Sequence, residues 1–197
     1  MSNFEEKFKR ILNLTKKKIK YIMDKSEMPG FAITIVSKDK PIWFETFGFT
    51  DLTKKYKINL DTLFSIQSST KTYTAVAFLL AMQKGLVNLD EPIVKYYPEF
   101  YINSREEKEE YKKITFRHLL THTSGLPREA RKGGCFSHIV PTWEEHIKSL
   151  NDSWMNNTIG SRFDYSNIGM DLVAYILERI VNMPYYNYLQ EVLGNPL

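Results

Sequence analysis

The stretch LFSIQSSTKTYTAVAFLLAMQKG, Leu63 to Gly85, crowds Ser65, Ser68, Ser69, Thr70, Thr72 and Thr74 around one lysine, Lys71. An unbroken apolar run, Ala75 to Met82, follows it. A helix that is apolar all round belongs in a core, and Gly85 is a natural place for it to end. Residues three apart on a helix share a face, with Cβ atoms about 5–6 Å apart. Of the crowded hydroxyls only Ser68 stands three before Lys71. A serine beside a lysine at a helix start is one arrangement that makes a nucleophile. The helix dipole there favours a developing alkoxide, and the lysine must lose its proton or share it with a second base. The plain alternative is Ser68 as a helix N-cap, with Lys71 reaching to solvent.

Spacing alone does not choose, because Ser37-Lys38-Asp39-Lys40 also reads Ser-x-x-Lys. That copy falls in a polar turn between FAITIVS (31–37) and PIWFETFGF (41–49), which together read as a β-hairpin with KDK at its tip. Ahead of it, residues 3 to 25 carry Phe4, Phe8, Ile11, Leu12, Ile19 and Ile22 between charges, the pattern of an amphipathic helix. That helix is expected to cover one face of a sheet of two or three strands, which is marginal alone.

Beyond Gly85 the chain reads as mostly helical. NSREEKEEYKK is a charged insertion expected to be exposed. ITFRHLLTHTSGLP reads as a short helix ending in a turn, and Thr142 with Glu145 as a capping box. A strong helix is expected over 168–181, and another from Pro184. The segment before the strong helix holds Tyr165-Ser166-Asn167, a second polar junction. Tyr-x-Asn recurs at Tyr101 and Tyr185, so here too context must decide. Tyr165 reads either as a phenol aimed into a cleft or as a core aromatic, with Asn167 then the N-cap.

Taken together and in this order, Ser68-x-x-Lys71, ITFRHLLTHTSGLP and Tyr165-Ser166-Asn167 make the chain similar to the serine β-lactamase and penicillin-binding protein superfamily. It resembles most the class C β-lactamase branch, with its D-alanyl-D-alanine carboxypeptidase and esterase relatives. The resemblance covers most of residues 28 to 197. It implies an α+β fold: residues 1–66 as the first half of an α/β part, and 67–197 as a helical part. It implies an acyl-serine mechanism with Ser68 as nucleophile, and Lys71 and Tyr165 sharing the base role. Tyr165 would protonate the leaving group, and Asn167 would bind the substrate's amide and orient Lys71. His118 and His122 are expected to be structural, holding the turn at 123–125. The family's later strands, with a Lys-Thr-Gly or His-x-Gly motif, have no counterpart before Leu197. The chain is therefore expected to be the N-terminal portion of a longer protein, with little or no activity alone. Pairing of two copies through the open sheet edge is an accompanying expectation, and a non-catalytic binding or scaffold descendant of the same fold is the alternative.

Composition narrows the rest. The chain has 197 residues, 43% hydrophobic and 25% charged, with a net charge of +4. That balance lacks the concentrated basic patch of a nucleic-acid binder. One cysteine, Cys135, excludes an internal disulfide. No metal-ligand spacing is present, so neither metal nor cofactor is expected. The substrate is expected to be a small molecule or peptide. No apolar run is long enough to span a membrane, and MSNFEEKFKR lacks an apolar leader core. As it stands the chain reads as cytoplasmic, with export through a removed leader left open.

Overall fold

The computed structural model describes residues 3–38, 40–135 and 137–196. Asp39, in the expected KDK turn, lies outside them, as does Phe136 of the loop before residue 142. The chain divides into two compact units, Met1–Ser65 and Ile66–Leu197.

The first unit holds helix α1 (Asn3–Ser26) and strands β1 (Gly30–Val36) and β2 (Pro41–Gly48). The strands pair antiparallel, with Gly30 opposite Gly48 and Ile33 opposite Glu45, and the register slips between Ile35 and Val36. Among the described residues this is the one sheet, and it has two strands. Ile19 of α1, Phe47 of β2 and Ile58 are its buried apolar residues, and Lys16 of α1 reaches Glu45 of β2 at 2.7 Å. The apolar stripe of α1 is only partly covered, because Phe4, Ile11 and Ile22 remain exposed.

The second unit is built on α5 (Asn167–Val181). Ile168, Leu172, Val173, Ile176 and Leu177 recur at helical spacing and are fully buried. Around it stand α2 (Thr70–Gln83), α3 (Phe116–Leu120), α4 (Trp143–Lys148) and α6 (Tyr185–Leu189). α2 meets α5 and α6 through Ala77, Phe78 and Ala81. The Phe78 and Phe116 rings lie 4.7 Å apart. Two tyrosines after α5 bond back to α2: Tyr185 Oη donates to Thr74 Oγ1 at 2.8 Å, and Tyr188 Oη to the Ala77 carbonyl at 3.1 Å. α2 stops where Gly85 turns left-handed at φ +74°, letting the Leu86 N–H close on the Ala81 carbonyl.

Two expectations need adjustment, and one alternative falls. α2 is apolar all round but buried on one face only: Tyr73, Val76, Leu79 and Met82 are exposed. A uniformly apolar helix carries no marker of which side its neighbours take. The charged insertion is not wholly exposed, because Glu110 and Tyr111 are buried. The Glu110 carboxylate accepts from Ser104 Oγ at 3.1 Å and the Ile159 N–H at 2.9 Å, which offsets its burial. Ser166, not Asn167, caps α5, its Oγ accepting from the Gly169 N–H at 3.0 Å. The capping box at Thr142 and Glu145 is present.

Truncating Leu172, fully buried in α5, to alanine is expected to cost about 2–5 kcal/mol by loss of burial and the cavity left behind. Leu79→Ala, at a half-exposed position on α2, is expected to cost less than about 1 kcal/mol. Urea denaturation of the two variants reads the difference. Equal costs would mean that the exposed face of α2 is covered in solution.

Candidate active site

The two polar junctions meet. A 3₁₀ turn, Gln67–Ser69, leads into α2. Gln67 is left-handed at φ 49°, a conformation that costs a non-glycine residue roughly 1–2 kcal/mol. Immediately after it, Ser68 is exposed, and its Oγ lies 2.7 Å from the Tyr165 phenol across 97 residues of sequence. Either oxygen could donate. Lys71 Nζ donates to Ser68 Oγ at 3.4 Å, and stands 5.0 Å from the centre of the Tyr165 ring. Ser68 does not act as a cap: the N-cap of α2 is Ser69, which makes no side-chain capping bond. Ser68, Lys71 and Tyr165 therefore form one cluster.

Asn167 stands in the first turn of α5, bound elsewhere. Its Nδ2 donates to Glu129 Oε1, while its Oδ1 is buried with no hydrogen-bond partner. The contact with Lys71 that the resemblance implies is not made.

Tyr165 is held from several sides. The His122 ring lies 4.6 Å from it, and His122 Nδ1 accepts from the Ser166 N–H at 3.2 Å. Accepting through Nδ1 requires the neutral imidazole. Burial first, and the Lys71 charge second, push His122 below the ordinary histidine value. His122 is itself left-handed at φ 57°. Its turn is pinned by Gly125, where a Cβ would come within 2.0 Å of the Asn157 carbonyl. His118 is structural in another way, completing the cap of α3 with Thr115.

The segment after this turn lies along the start of α5. Ser166 Oγ donates to the Pro127 carbonyl at 2.7 Å, and the Asn167 N–H to the Arg128 carbonyl at 2.8 Å. The Arg128 guanidinium stands 5.5 Å from the Tyr165 ring centre, a second cation beside that phenol. Neither Arg128 nor Glu129 carried a periodic or motif signal marking it as part of the site, whereas His122 lies inside the ITFRHLLTHTSGLP motif, where it reads as holding the turn at 123–125. Among the described residues, no group of three or more His, Cys, Asp or Glu side chains gathers as a metal site. No helix there is long and apolar enough to cross a membrane.

His146 of α4 anchors the same loop farther along. Its Nδ1 faces the Lys132 carbonyl at 2.6 Å and its Nε2 faces Asp171 Oδ2 of α5 at 3.1 Å. Both partners only accept, so both are satisfied only by the doubly protonated ring. The Asp171 bond raises His146 above the ordinary 6.5, against the opposing effect of burial. A raised folded value means that this stabilisation is full below the unfolded value and is lost as pH rises through the folded one. Asp171→Asn is therefore expected to lower the urea midpoint at a pH below 6.5, with the deficit shrinking above the folded value. A deficit independent of pH would contradict the charged pair.

A family model described as Beta-lactamase matches residues 15–197. Protein flp of Staphylococcus aureus is 28% identical over 179 residues, 91% of this chain and 35% of that protein. Among solved structures, the octameric penicillin-binding protein homologue from Pyrococcus abyssi superposes with a TM-score of 0.80 at 26% identity, covering 94% of this chain and 42% of that one. The D-amino acid amidase from Ochrobactrum anthropi does so with a TM-score of 0.71, also at 26% identity, covering 85% and 44%. The chain thus spans about a third of the curated relative and under half of these two structures. With its helical unit, its Ser-Lys-Tyr cluster and this match over nearly all its length, the chain belongs to the beta-lactamase family.

Proposed function

We propose that the chain carries the nucleophile side of a serine hydrolase acting through an acyl-serine intermediate. The observation that supports this best is the 2.7 Å contact between Ser68 Oγ and the Tyr165 phenol, with Lys71 Nζ 3.4 Å from the same serine. In this reading Ser68 Oγ attacks an acyl carbonyl and its proton passes to Tyr165, whose phenolate Lys71 stabilises by charge. The tetrahedral intermediate collapses by breaking the bond to the leaving group, and Tyr165 returns the proton to that group. Water then attacks the acyl-serine as the same tyrosine takes its proton, and collapse of this second tetrahedral intermediate breaks the bond to Ser68 Oγ, to which Tyr165 returns the proton. The start of α2 favours the negative charge developing near Ser68.

β-Lactam, D-Ala-D-Ala peptide, amide and ester substrates all present the carbonyl this sequence of steps needs. The Lys-Thr-Gly or His-x-Gly motif that the resemblance associates with a second oxyanion donor does not occur in residues 1–197. Lacking one such donor typically costs about a hundred- to a thousandfold in rate. Slow acylation with little turnover is accordingly expected of this chain alone.

A fluorescent penicillin or a fluorophosphonate should label Ser68, located by peptide mass spectrometry. Ser68→Ala should abolish labelling with the fold retained, and Tyr165→Phe and Lys71→Ala should slow it strongly. His122→Ala removes the ring packed on Tyr165, and should slow labelling by up to about a hundredfold, the scale of a misplaced catalytic group. His122→Asn, which tolerates the left-handed backbone, should keep more of the rate. No labelling of the folded chain by either reagent would favour the non-catalytic alternative.

A further inference from the structure

Helix α1 has two apolar faces, and only one is used within its unit. Phe8, Leu12, Ile19 and Met23 make the first, and they are buried or half-buried. Beside it, Lys7, Ile11, Leu14, Lys18, Tyr21 and Lys25 follow one another at alternating steps of four and three residues, so they form one strip along the helix. Every member of that strip is exposed. Leu14 is 57% exposed, and Phe4, at the head of the strip, 74%. Arg10 and Lys17 stand alongside, each three residues on from a strip position, whereas the acids of α1, Glu5, Glu6 and Asp24, fall off the strip. The helix holds eight Lys or Arg against three Asp or Glu, a net +5, while the whole chain carries +4. The rest of the chain is therefore close to neutral, and the excess positive charge is concentrated on the helix that exposes these apolar side chains.

We infer that this strip of α1 docks the protein on an anionic lipid surface, lying along it rather than crossing it. A helix with a basic face and a separate exposed apolar face matches the lipid–water boundary, where the apolar side chains enter the acyl region and the cations meet phosphate headgroups. The alternation within the strip favours lipid over a protein cover. Lys7, Lys18 and Lys25 lie in line with Ile11, Leu14 and Tyr21, so a protein packed over the strip would strip their ammonium groups of water. At a lipid boundary the same lysines lay their stems beside the apolar residues and extend their ammonium groups to the headgroups. Lys18 already lies in this way, its Nζ 5.3 Å from the centre of the Tyr21 ring. A second copy fits worse still. The strip has the step of a two-stranded coiled-coil seam, and pairing it with itself would bring lysines against lysines. A nucleic acid would use the cations and leave the apolar residues in water.

The test is co-sedimentation of the chain with vesicles of phosphatidylcholine alone and of equal parts phosphatidylcholine and phosphatidylglycerol. The mixed vesicles should bind it more tightly by about tenfold or more, and raising the salt from about 0.1 to 1 M, which shortens the screening length from about 10 to 3 Å, should loosen it. Lys18→Gln with Lys25→Gln should weaken binding by about tenfold or more, on the scale of about fivefold per charge. Ile11→Gln with Leu14→Gln should weaken it as well, and circular dichroism should show both double variants folded, since all four positions are exposed. Lys84→Gln with Lys108→Gln, which removes two exposed lysines of the other unit, should leave binding nearly unchanged. Ser68→Ala should bind like the unaltered chain, so the inference stands or falls apart from the hydrolase reading. No binding to the mixed vesicles at low salt, equal binding to both kinds, or binding untouched by either α1 variant would overturn it. So would self-association by sedimentation velocity that is lost in Ile11→Gln with Leu14→Gln, which would give the strip to a second copy.

Discussion

The site depends on one contact: the 2.7 Å approach of the Ser68 hydroxyl to the Tyr165 phenol. Neither residue can make it from its own segment. It exists because the starts of α2 and α5 are brought side by side by the packing beneath them. The alanines at 77 and 81 present little bulk on the buried face of α2, while α5 contributes a fully buried row from Ile168 to Leu177. Local backbone completes the approach. Left-handed Gln67 turns the chain just before the serine, and left-handed His122 places an imidazole against the tyrosine. Strained residues of this kind persist only where their surroundings over-determine them. Here the His122 turn is fastened by the Gly125 approach to Asn157 and by the bond from the Ser166 N–H.

The electrostatics follow from that placement. Lys71 and Arg128 both stand near the Tyr165 ring, at 5.0 and 5.5 Å from its centre. Hydrogen bonding toward Lys71 and then toward Ser68 lowers the phenol below its ordinary value. His122 is lowered too, by burial and then by the Lys71 charge, which for an imidazole favours the neutral form, so it adds no competing positive charge at this contact. A phenol poised to ionise, a hydroxyl within hydrogen-bond reach and an ammonium to hold the charge make up the chemistry proposed for Ser68.

Much of this was legible in the sequence where the signal is local. Ser68 and Lys71 stand at helical spacing, and the apolar run marks the helix that follows. Tyr165 gained meaning only beside the other two motifs, because Tyr-x-Asn occurs three times in the chain. The hairpin and the capping box at Thr142 carried periodic or positional signals and are found in place. Glu129 was not legible as a site residue, and His122, though inside the ITFRHLLTHTSGLP motif, was legible only as a residue holding the turn. Each meets its partner across a long stretch, 38 residues to Asn167 and 44 to Ser166, and a single polar side chain in a loop has no period to betray it. The exposed face of α2 was hidden for the opposite reason. A helix apolar on every side offers no contrast from which to read which half is buried.

The most direct measurement of the central claim is the ionisation of Tyr165, followed by NMR of ¹³Cζ-labelled tyrosine and assigned with Tyr165→Phe. The account predicts a midpoint below the ordinary phenol value of 10.0 that moves upward in Lys71→Ala and, by less, in Ser68→Ala. A midpoint at or above that value, or one that ignores the loss of Lys71, would contradict the coupling of serine, lysine and tyrosine on which the proposed chemistry rests.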